Sequence, residues 1–285
     1  MISLKSPREI EAMEKSGAVL AGMHIGVREI IRPGISSWVI EEFAREYFKK
    51  AHAIAAQIGF EGYQYATCIS VNDEICHGFP RKKLIFKDND LVKVDTVVNL
   101  DGAYSDSCWS YAVGKASDEV KRLMDVTYKS LYLGIDQCKV GNRIGDIGAA
   151  IQHYTEDENG YGDVREFVGH GIGPTMHEDP MVPHYGKAGQ GTRLRNGMTI
   201  TVEPMINTGT WEADTSDPSG WLAKTADGGL SCQYEHSLVV TDKGPKILTS
   251  QDPKADAAYL YDDNYAEYLA HYAKLAKEVA KKYMK

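Results

Sequence analysis

Apolar residues recur along the first fifty positions with the three-to-four-residue spacing of amphipathic helices. The run SPRE at positions 6–9 is a helix-start signature: Ser6 caps, the proline takes the first helical position, and Glu9 completes a capping box. A first helix is predicted from there to about Ile31, and a second follows the Pro33-Gly34 break. The chain therefore begins as a helical hairpin.

The pattern changes to period-two alternation between positions 91 and 113, which predicts two strands joined at Asp101-Gly102. With a two-residue turn, Val97 pairs with Asp106, and Asp95 lies diagonally across from Asp106 on the same face. Their Cβ atoms are then roughly 7–8 Å apart. Two anions this close repel each other and are costly to bury, so either this face of the hairpin is exposed to solvent or a cation lies between them.

The second half of the chain repeats the order of the first. Helices are predicted from Ser117 to Cys138 and from Gly141 to about Tyr154, and strands from Gly197 to Ile206 and from Cys232 to Thr241. Three features recur at offsets of 100 to 108 residues, among them Asp95 and Glu203. We predict an α+β fold with an internal duplication, halves about 1–115 and 116–252, with chance agreement of short strings as the alternative.

Residues 253–285 form a predicted C-terminal helical extension. Its apolar side carries Tyr265, Leu269, Tyr272, Leu275, Val279 and Tyr283, and its other side carries Lys274, Lys277, Lys281 and Lys282. This pattern favours a terminal helix packed on the body with a solvated lysine face over a partner or membrane-surface role.

Composition narrows the class of protein. The chain has 285 residues, 43% of them apolar, and a formal net charge of −8, which argues against general polyanion binding. Its five cysteines are widely spaced without a C-x-x-C pair, which fits a reducing cytosol. A charged N-terminus and the absence of any stretch near 18 apolar residues argue against export and membrane spanning, so a cytoplasmic location is expected.

Candidate chemistry lies in acids embedded in apolar β segments and in a glycine-rich histidine stretch, FVGHGIGPTMHEDP at 167–180. Alone, His170 would more often be a satisfied polar residue, and an isolated acid a salt-bridge partner. As a set of oxygen and imidazole donors they suit divalent Mn, Fe, Co or Zn, with bridging carboxylates holding two ions roughly 3.5–4 Å apart. The set is Asp95, Asp106, His170, Glu203 and Glu235.

From about residue 2 to 250, the motifs HGFP, VGHGIGPTMHEDP, TVEPMI and QYEHSLVVTDKGP and the two-aspartate hairpin resemble methionine aminopeptidase type I, in its short bacterial form. That family has the creatinase-like "pita-bread" fold, a curved antiparallel sheet of pseudo-two-fold symmetry covered by helices. The resemblance implies that the five residues above are metal ligands, with Asp106 and Glu235 bridging. It also implies that His77 and His177 contact the substrate and that Glu203 shuttles a proton.

The resemblance further implies a methionine side-chain pocket at Phe60, Tyr63, Cys68, Met176 and Trp221. Phe60 and Met176 stand where Tyr and Phe are common in the family, and Cys108 places a thiol near the metals. The implied reaction is removal of the N-terminal methionine from chains with a small second residue, by attack of a metal-bridging hydroxide. Implied partners are N-terminal methionyl peptides and nascent chains, with the ribosome as a further candidate. A monomer without specific nucleic acid or membrane is expected.

Three alternatives stay open at this point. A proline-specific aminopeptidase or prolidase shares the fold but usually carries a separate N-terminal domain. A non-catalytic peptide-binding relative should lack ligands, whereas all five are present. A mononuclear iron oxygenase needs a compact two-histidine, one-carboxylate triad, for which five ligands are too many.

Overall fold

The computed structural model describes residues 2–260 and 264–284. Within these ranges the α-helices are α1 Pro7–Ile30, α2 Ser37–Lys50, α3 Asp118–Ile135, α4 Ile144–Gln152 and α5 Asn264–Ala280. The strands are β1 Ile54–Ala55, β2 Cys68–Val71, β3 Glu74–Cys76, β4 Leu91–Leu100, β5 Ala103–Ala112, β6 Gly162–Asp163, β7 Gly169–Gly171, β8 Glu178–Val182, β9 Thr199–Val202, β10 Met205–Asn207, β11 Ala213–Asp214, β12 Ala223–Thr225, β13 Ser231–Gln233, β14 His236–Thr241 and β15 Gly244–Ile247.

The first helix begins at the predicted capping box. The Ser6 N–H donates to Glu9 Oε2 at 2.7 Å, and the Glu9 N–H donates to Ser6 Oγ at 3.4 Å, which satisfies two of the free donors of the first turn. The predicted end near Ile31 is confirmed within one residue. Both predicted helices of the second half form, although α3 ends at Ile135 and a π-helical turn, His153–Glu158, follows α4.

The predicted central hairpin is confirmed in detail. β4 pairs with β5 through ten residues in each strand, with Val97 opposite Asp106 and Leu100 opposite Ala103. Asp101 and Gly102 form the two-residue turn with φ of 52° and 92°, a conformation that suits the right-handed twist of the paired strands. Because side chains alternate faces along each strand, this register puts Asp95 and Asp106 on one face.

Two strands predicted to be continuous are each broken, which corrects the sequence analysis. The segment 197–206 divides into β9 and β10 around Glu203-Pro204, and the segment 232–241 divides between β13 and β14 at Glu235. β9 pairs with β14, and β10 pairs with β13, so the breaks lie opposite each other. We call this two-stranded unit the crossover ribbon. Proline lacks the N–H that would continue the ladder, which explains one of the two breaks.

The crossover ribbon connects two sheets. Its β9–β14 half belongs to a five-stranded sheet of order β15-β14-β9-β7-β8, and its β10–β13 half belongs to a three-stranded sheet of order β13-β10-β6. A four-stranded sheet holds β1, β2 and the hairpin, and a further sheet has the order β11-β12-β3. Each acid at a break therefore lies where the chain passes from one sheet to the next.

Two hydrophobic clusters form the main core. One packs α1 and α2 onto β4, as Leu20, Phe43 and Val94 show, and the other packs α3 and α4 onto β9 and β14. In both, helices cover one face of a sheet. The duplication into halves about 1–115 and 116–252 is compatible with this arrangement and stays a prediction.

The C-terminal extension packs on the body. Along α5, Tyr265, Leu269 and Val279 are buried against α1 and its neighbours, whereas the four predicted lysines are exposed. Two positions near the start of the predicted extension helix, 262 and 263, and the last residue, 285, lie outside the described residues. None of the described helices is long and apolar enough to cross a bilayer.

Candidate metal centre and its cavity

Every predicted site residue lines one cavity of about 680 Å³. Its floor holds the acids and His170, and its walls are largely aromatic and sulfur-containing. Further lining residues include Gln57, Glu61, Cys76, Phe167, Glu178, Met181, Met205 and Gln233. Side chains from positions 57 to 235 therefore converge, which is the arrangement expected of a ligand site rather than of a surface charge cluster.

The four acids come from two pairs of strands. β4 and β5 carry Asp95 and Asp106, while Glu203 and Glu235 occupy the two breaks of the crossover ribbon. The Glu235 N–H donates to the Cys108 carbonyl at 2.9 Å, which joins the ribbon to the hairpin next to the acids. The backbone thus determines how far apart the acids lie.

His170 presents a free nitrogen to these acids. Its Nδ1–H donates to the Gly171 carbonyl oxygen at 2.9 Å, because a carbonyl can only accept, so in the neutral ring Nε2 is the nitrogen that can bind a metal ion. Nε2 lies 3.6 Å from Asp106 Oδ2 and 3.7 Å from Glu203 Oε1. The flanking glycines permit this position, because a Cβ at Gly171 would collide with the Asp179 carbonyl oxygen.

The buried surroundings of the acids disfavour their charged forms. Burial raises the pKa of Asp106 to about 7 and that of Glu203 to about 8. Burial also raises the pKa of Asp95 and of Glu235 well above the usual range, and the nearby Asp106 charge adds to both shifts. A cluster with these pKa values holds protons near neutral pH unless a cation replaces them.

The set of donor atoms in the cavity fits a divalent metal ion. Within the described residues, one buried oxygen each of Asp95, Asp106 and Glu235 has no hydrogen-bond partner, although such atoms in proteins are nearly always satisfied. One donor atom each from Asp106, His170 and Glu235 lies within 4.8 Å of the others. Two ligands that each bind an ion at about 2.0–2.2 Å lie about 3 to 4 Å apart, which matches the His170 distances above.

The predicted methionine pocket is an aromatic and sulfur-lined wall. The ring centroids of Tyr63 and Trp221 are 4.9 Å apart in an edge arrangement. The Tyr63 hydroxyl lies 2.9 Å from the Thr67 carbonyl oxygen, so its polar end is satisfied by backbone. Gln57 Nε2 donates to Cys68 Sγ at 3.1 Å, and Met176 is buried and lines the same cavity.

Two further histidines frame the acids. The His177 ring lies 4.3 Å from the His170 ring and 5.2 Å from that of Phe60, and the His77 ring lies 5.2 Å from that of Phe167. Burial lowers the pKa of His77 and of His177 to about 4, so both rings are neutral at pH 7. His77 has φ of 57°, which is uncommon for a non-glycine residue and is often found at functional sites.

Some residues at the site were missed by the sequence analysis. Thr201 Oγ donates to Glu203 Oε1 at 2.7 Å, and Gln233 Nε2 contacts Glu203 Oε2 at 3.4 Å. The Glu203 N–H donates to His184 Nε2 at 3.0 Å. The sequence held one indication of the Thr201 contact: Thr201 and Glu203 are two positions apart, so they take the same face of the predicted strand. The thiol of Cys108, expected near the metals, is fully buried, and burial raises its pKa well above the usual range, so it is not a reactive thiolate.

Comparison with known proteins defines the class. Metallopeptidase family M24 matches residues 11–242, and the chain belongs to that family. Among its relatives, methionine aminopeptidase A of Synechocystis sp. is 44% identical over 248 residues, which is 87% of this chain and 97% of the relative. A solved methionine aminopeptidase from Streptococci is 54% identical, with a TM-score of 0.83, and the match covers 88% of this chain and 98% of that one.

A prolidase from Pyrococcus furiosus has the same fold at 20% identity and a TM-score of 0.67, over 87% of this chain and 66% of that one. The predicted α+β "pita-bread" fold and the resemblance to methionine aminopeptidases are therefore confirmed. The chain is a metallopeptidase. The roles of individual site residues stay predictions.

Proposed function

We propose that this chain removes the N-terminal methionine from peptides and nascent proteins in a metal-dependent reaction. The observation that supports it best is the juxtaposition of four buried acids and the His170 imidazole with an uncharged aromatic and sulfur-lined wall in a single cavity. The names of the similar proteins point to the same activity.

We propose two divalent ions, from Co, Mn, Fe or Zn, as the cofactor. Asp95, Asp106, His170, Glu203 and Glu235 would hold them, with Asp106 and Glu235 shared between both. The oxygens without hydrogen-bond partners support this assignment. Bound there, the ions would supply an acidified water and polarise the first peptide carbonyl.

Glu203 is the proposed proton carrier, and its surroundings distinguish its two oxygens. Thr201 donates to Oε1 at 2.7 Å, whereas Oε2 has only a long contact from Gln233 at 3.4 Å. Oε2 is therefore the oxygen at which a proton from water would be held before it passes to the leaving amine. Without metal, burial raises the pKa of Glu203 to about 8, and bound cations would lower it and leave the carboxylate free to take a proton from water.

The neutral histidines would orient the peptide. Each can donate one N–H without bringing a charge into the cavity. We assign His177 to the carbonyl oxygen on which negative charge develops, because its ring lies against that of His170 at the edge of the acid cluster. We assign His77, which lies between Phe167 and Trp221, to the peptide nitrogen beyond the scissile bond.

The wall residues explain the substrate class. Phe60, Tyr63, Cys68, Met176 and Trp221 carry no charge, so an unbranched thioether is favoured and a lysine side chain is excluded. The preference for methionine over norleucine should be modest, about 1–3 kcal/mol at most, because sulfur and methylene differ little in volume. Bulk at the second substrate residue would press on His77 and its aromatic neighbours.

This function is tested by peptide hydrolysis after chelation and re-addition of each metal. We expect Met-Ala-Ser to be cleaved, Met-Leu-Ser to be rejected, and Leu-Ala-Ser and Ala-Pro peptides to be poor substrates. The measurement is kcat/KM for each peptide, with norleucine-Ala-Ser as the matched control for pocket volume. Equal rates for Met-Ala-Ser and Met-Leu-Ser would contradict the small-neighbour rule, and faster Leu-Ala-Ser cleavage would contradict the methionine assignment.

The raised carboxyl pKa values predict how metal binding depends on pH. Below pH 7 the folded protein holds protons on Asp106 and Glu203, and a metal must displace them. The apparent Mn²⁺ affinity should therefore rise between pH 6 and pH 8, and binding at pH 7 should release protons. Calorimetric titrations in buffers of different ionisation enthalpy measure both quantities. An affinity independent of pH over this range would contradict the protonated acid cluster.

The remaining assignments concern the cell. Nascent chains as substrates would place the protein in the cytoplasm and near the ribosome, and we propose a monomer. Sedimentation of the purified protein tests its oligomeric state, and co-sedimentation with ribosomes tests that association.

A further inference from the structure

Lys93 is a buried ammonium in β4 without a carboxylate partner. It is 1% exposed, and its Nζ donates to the Asn72 carbonyl oxygen at 3.0 Å and to the Ser231 carbonyl oxygen at 2.7 Å. Across the described ranges, no acid lies within ion-pair distance of this nitrogen.

Each of the three residues joined by this contact is followed along the chain, within two to five positions, by a residue of the site. Lys93 precedes Asp95 by two positions on the same face of β4. Asn72 lies in the turn between β2 and β3, and the chain continues from there to His77. Ser231 begins β13, which continues into the crossover ribbon and Glu235.

The contact also joins separate sheets. β4 belongs to the four-stranded sheet and β13 to the three-stranded sheet, so no backbone ladder connects them. The Asn72 backbone reaches both, because its N–H donates to the Leu91 carbonyl oxygen at 2.9 Å and its carbonyl oxygen accepts from the Ser231 N–H at 3.0 Å. Ser110 Oγ adds one bond to the Gln233 carbonyl oxygen at 2.7 Å, next to the ammonium contact. An apolar side chain would fill the same space without the cost of desolvating a charge. It would, however, remove the ammonium donor from both carbonyl oxygens, of which the Asn72 oxygen alone would keep the Ser231 N–H shown above.

We propose that Lys93 is a positioning residue of the metal centre. Its ammonium holds the turn before His77 and the strand before Glu235 against the strand that carries Asp95. This inference rests on the proposed function only for the identity of the site. It assigns to Lys93 no contact with substrate or metal.

The test compares full-length Lys93→Met with a matched control, Lys246→Met. Lys246 is also buried, but its ammonium pairs with Glu14 on α1, away from the cavity. Thermal unfolding gives the stability loss of each variant, calorimetry with Mn²⁺ gives the metal affinity, and Met-Ala-Ser hydrolysis gives kcat and KM. Wild-type protein that binds Mn²⁺ without cleaving Met-Ala-Ser would reject the proposed function and leave the affinity comparison readable.

We expect Lys93→Met to fold and to lose about tenfold or more in Mn²⁺ affinity, as residues that orient ligands do, with a matching fall in kcat. Lys246→Met should lose stability but keep both values within threefold. If Lys93→Met lost stability and kept wild-type Mn²⁺ affinity and kcat, the lysine would be a stability element only, and the proposal would be overturned.

Chemical rescue covers the case in which Lys93→Met does not fold. Lys93→Ala prepared in propylammonium chloride should regain Mn²⁺ affinity, because the small ammonium can fill the space and donate to both carbonyls. Tetramethylammonium has no N–H and should not rescue. Folded Lys93→Ala that fails to regain affinity in propylammonium, or that recovers equally in both salts, would overturn the proposal.

Discussion

Glu235→Gln should abolish metal-dependent turnover while leaving the metal-free protein at least as stable as the wild type. The two effects have one cause, the burial of four carboxyl groups that are charged only when metal ions replace their protons. Glutamine keeps the shape of the side chain but removes one shared anionic ligand, and metal contributions of several kcal/mol correspond to a loss of at least about 100-fold in kcat. In the metal-free state burial and the nearby Asp106 raise the pKa of Glu235, so its carboxyl is protonated on folding at a cost in free energy, and the neutral glutamine removes that cost.

The measurement is thermal unfolding in EDTA and in Mn²⁺, together with calorimetry and Met-Ala-Ser hydrolysis. Wild-type protein should gain stability from Mn²⁺, and the variant should not. Asp106→Ala should likewise lose metal binding and turnover together. A matched control is Glu14→Gln, since Glu14 is also buried but pairs with Lys246: it should lower stability in EDTA and leave turnover unchanged. Glu235→Gln that still bound metal and kept more than a few per cent of activity would contradict the shared-ligand assignment.

His177→Ala should lower kcat by about 100-fold while KM changes less than threefold. The ring is neutral at pH 7, because burial and the neighbouring His170 lower its pKa to about 4. Its N–H can therefore donate to an oxygen on which charge develops in the transition state. Removal of one such donor typically costs about 10²–10³ in kcat.

A structural side effect of this substitution has to be separated from the chemical one, since the His177 ring lies against that of the proposed ligand His170. Mn²⁺ affinity is therefore measured beside the kinetics, and His177→Gln serves as the conservative variant because its amide can still donate. We expect unchanged affinity in both variants and partial recovery of kcat in the glutamine variant. A change confined to KM would reassign His177 to ground-state binding.

The hairpin could be predicted from sequence because its determinants are local. A two-residue turn with positive φ at Asp101 and Gly102 sets the register, and the register sets which face each aspartate takes. The helix start at Ser6 is equally local. No longer-range information was needed for either feature.

The remaining parts of the site depend on how separate sheets meet, which the pattern along the chain does not encode. Alternation predicted unbroken strands through Glu203 and Glu235, whereas the breaks are what bring these acids to the cavity. Lys93 appeared as one polar position in an alternating strand. Its contact with Ser231, 138 positions further along the chain, follows only from tertiary structure.

The crossover ribbon also bears on which ions the centre accepts. Glu203 and Glu235 occupy opposite breaks of two paired strands. The distance between their carboxylates is therefore set by main-chain pairing and not by long, adaptable loops. A fixed spacing of the carboxylates, with an imidazole among the ligands, suits first-row transition-metal ions, whose bonds to such donors are about 2.0–2.2 Å. Ca²⁺ needs six to eight oxygens at about 2.3–2.6 Å and a flexible cage, so even abundant calcium would be a poor competitor here.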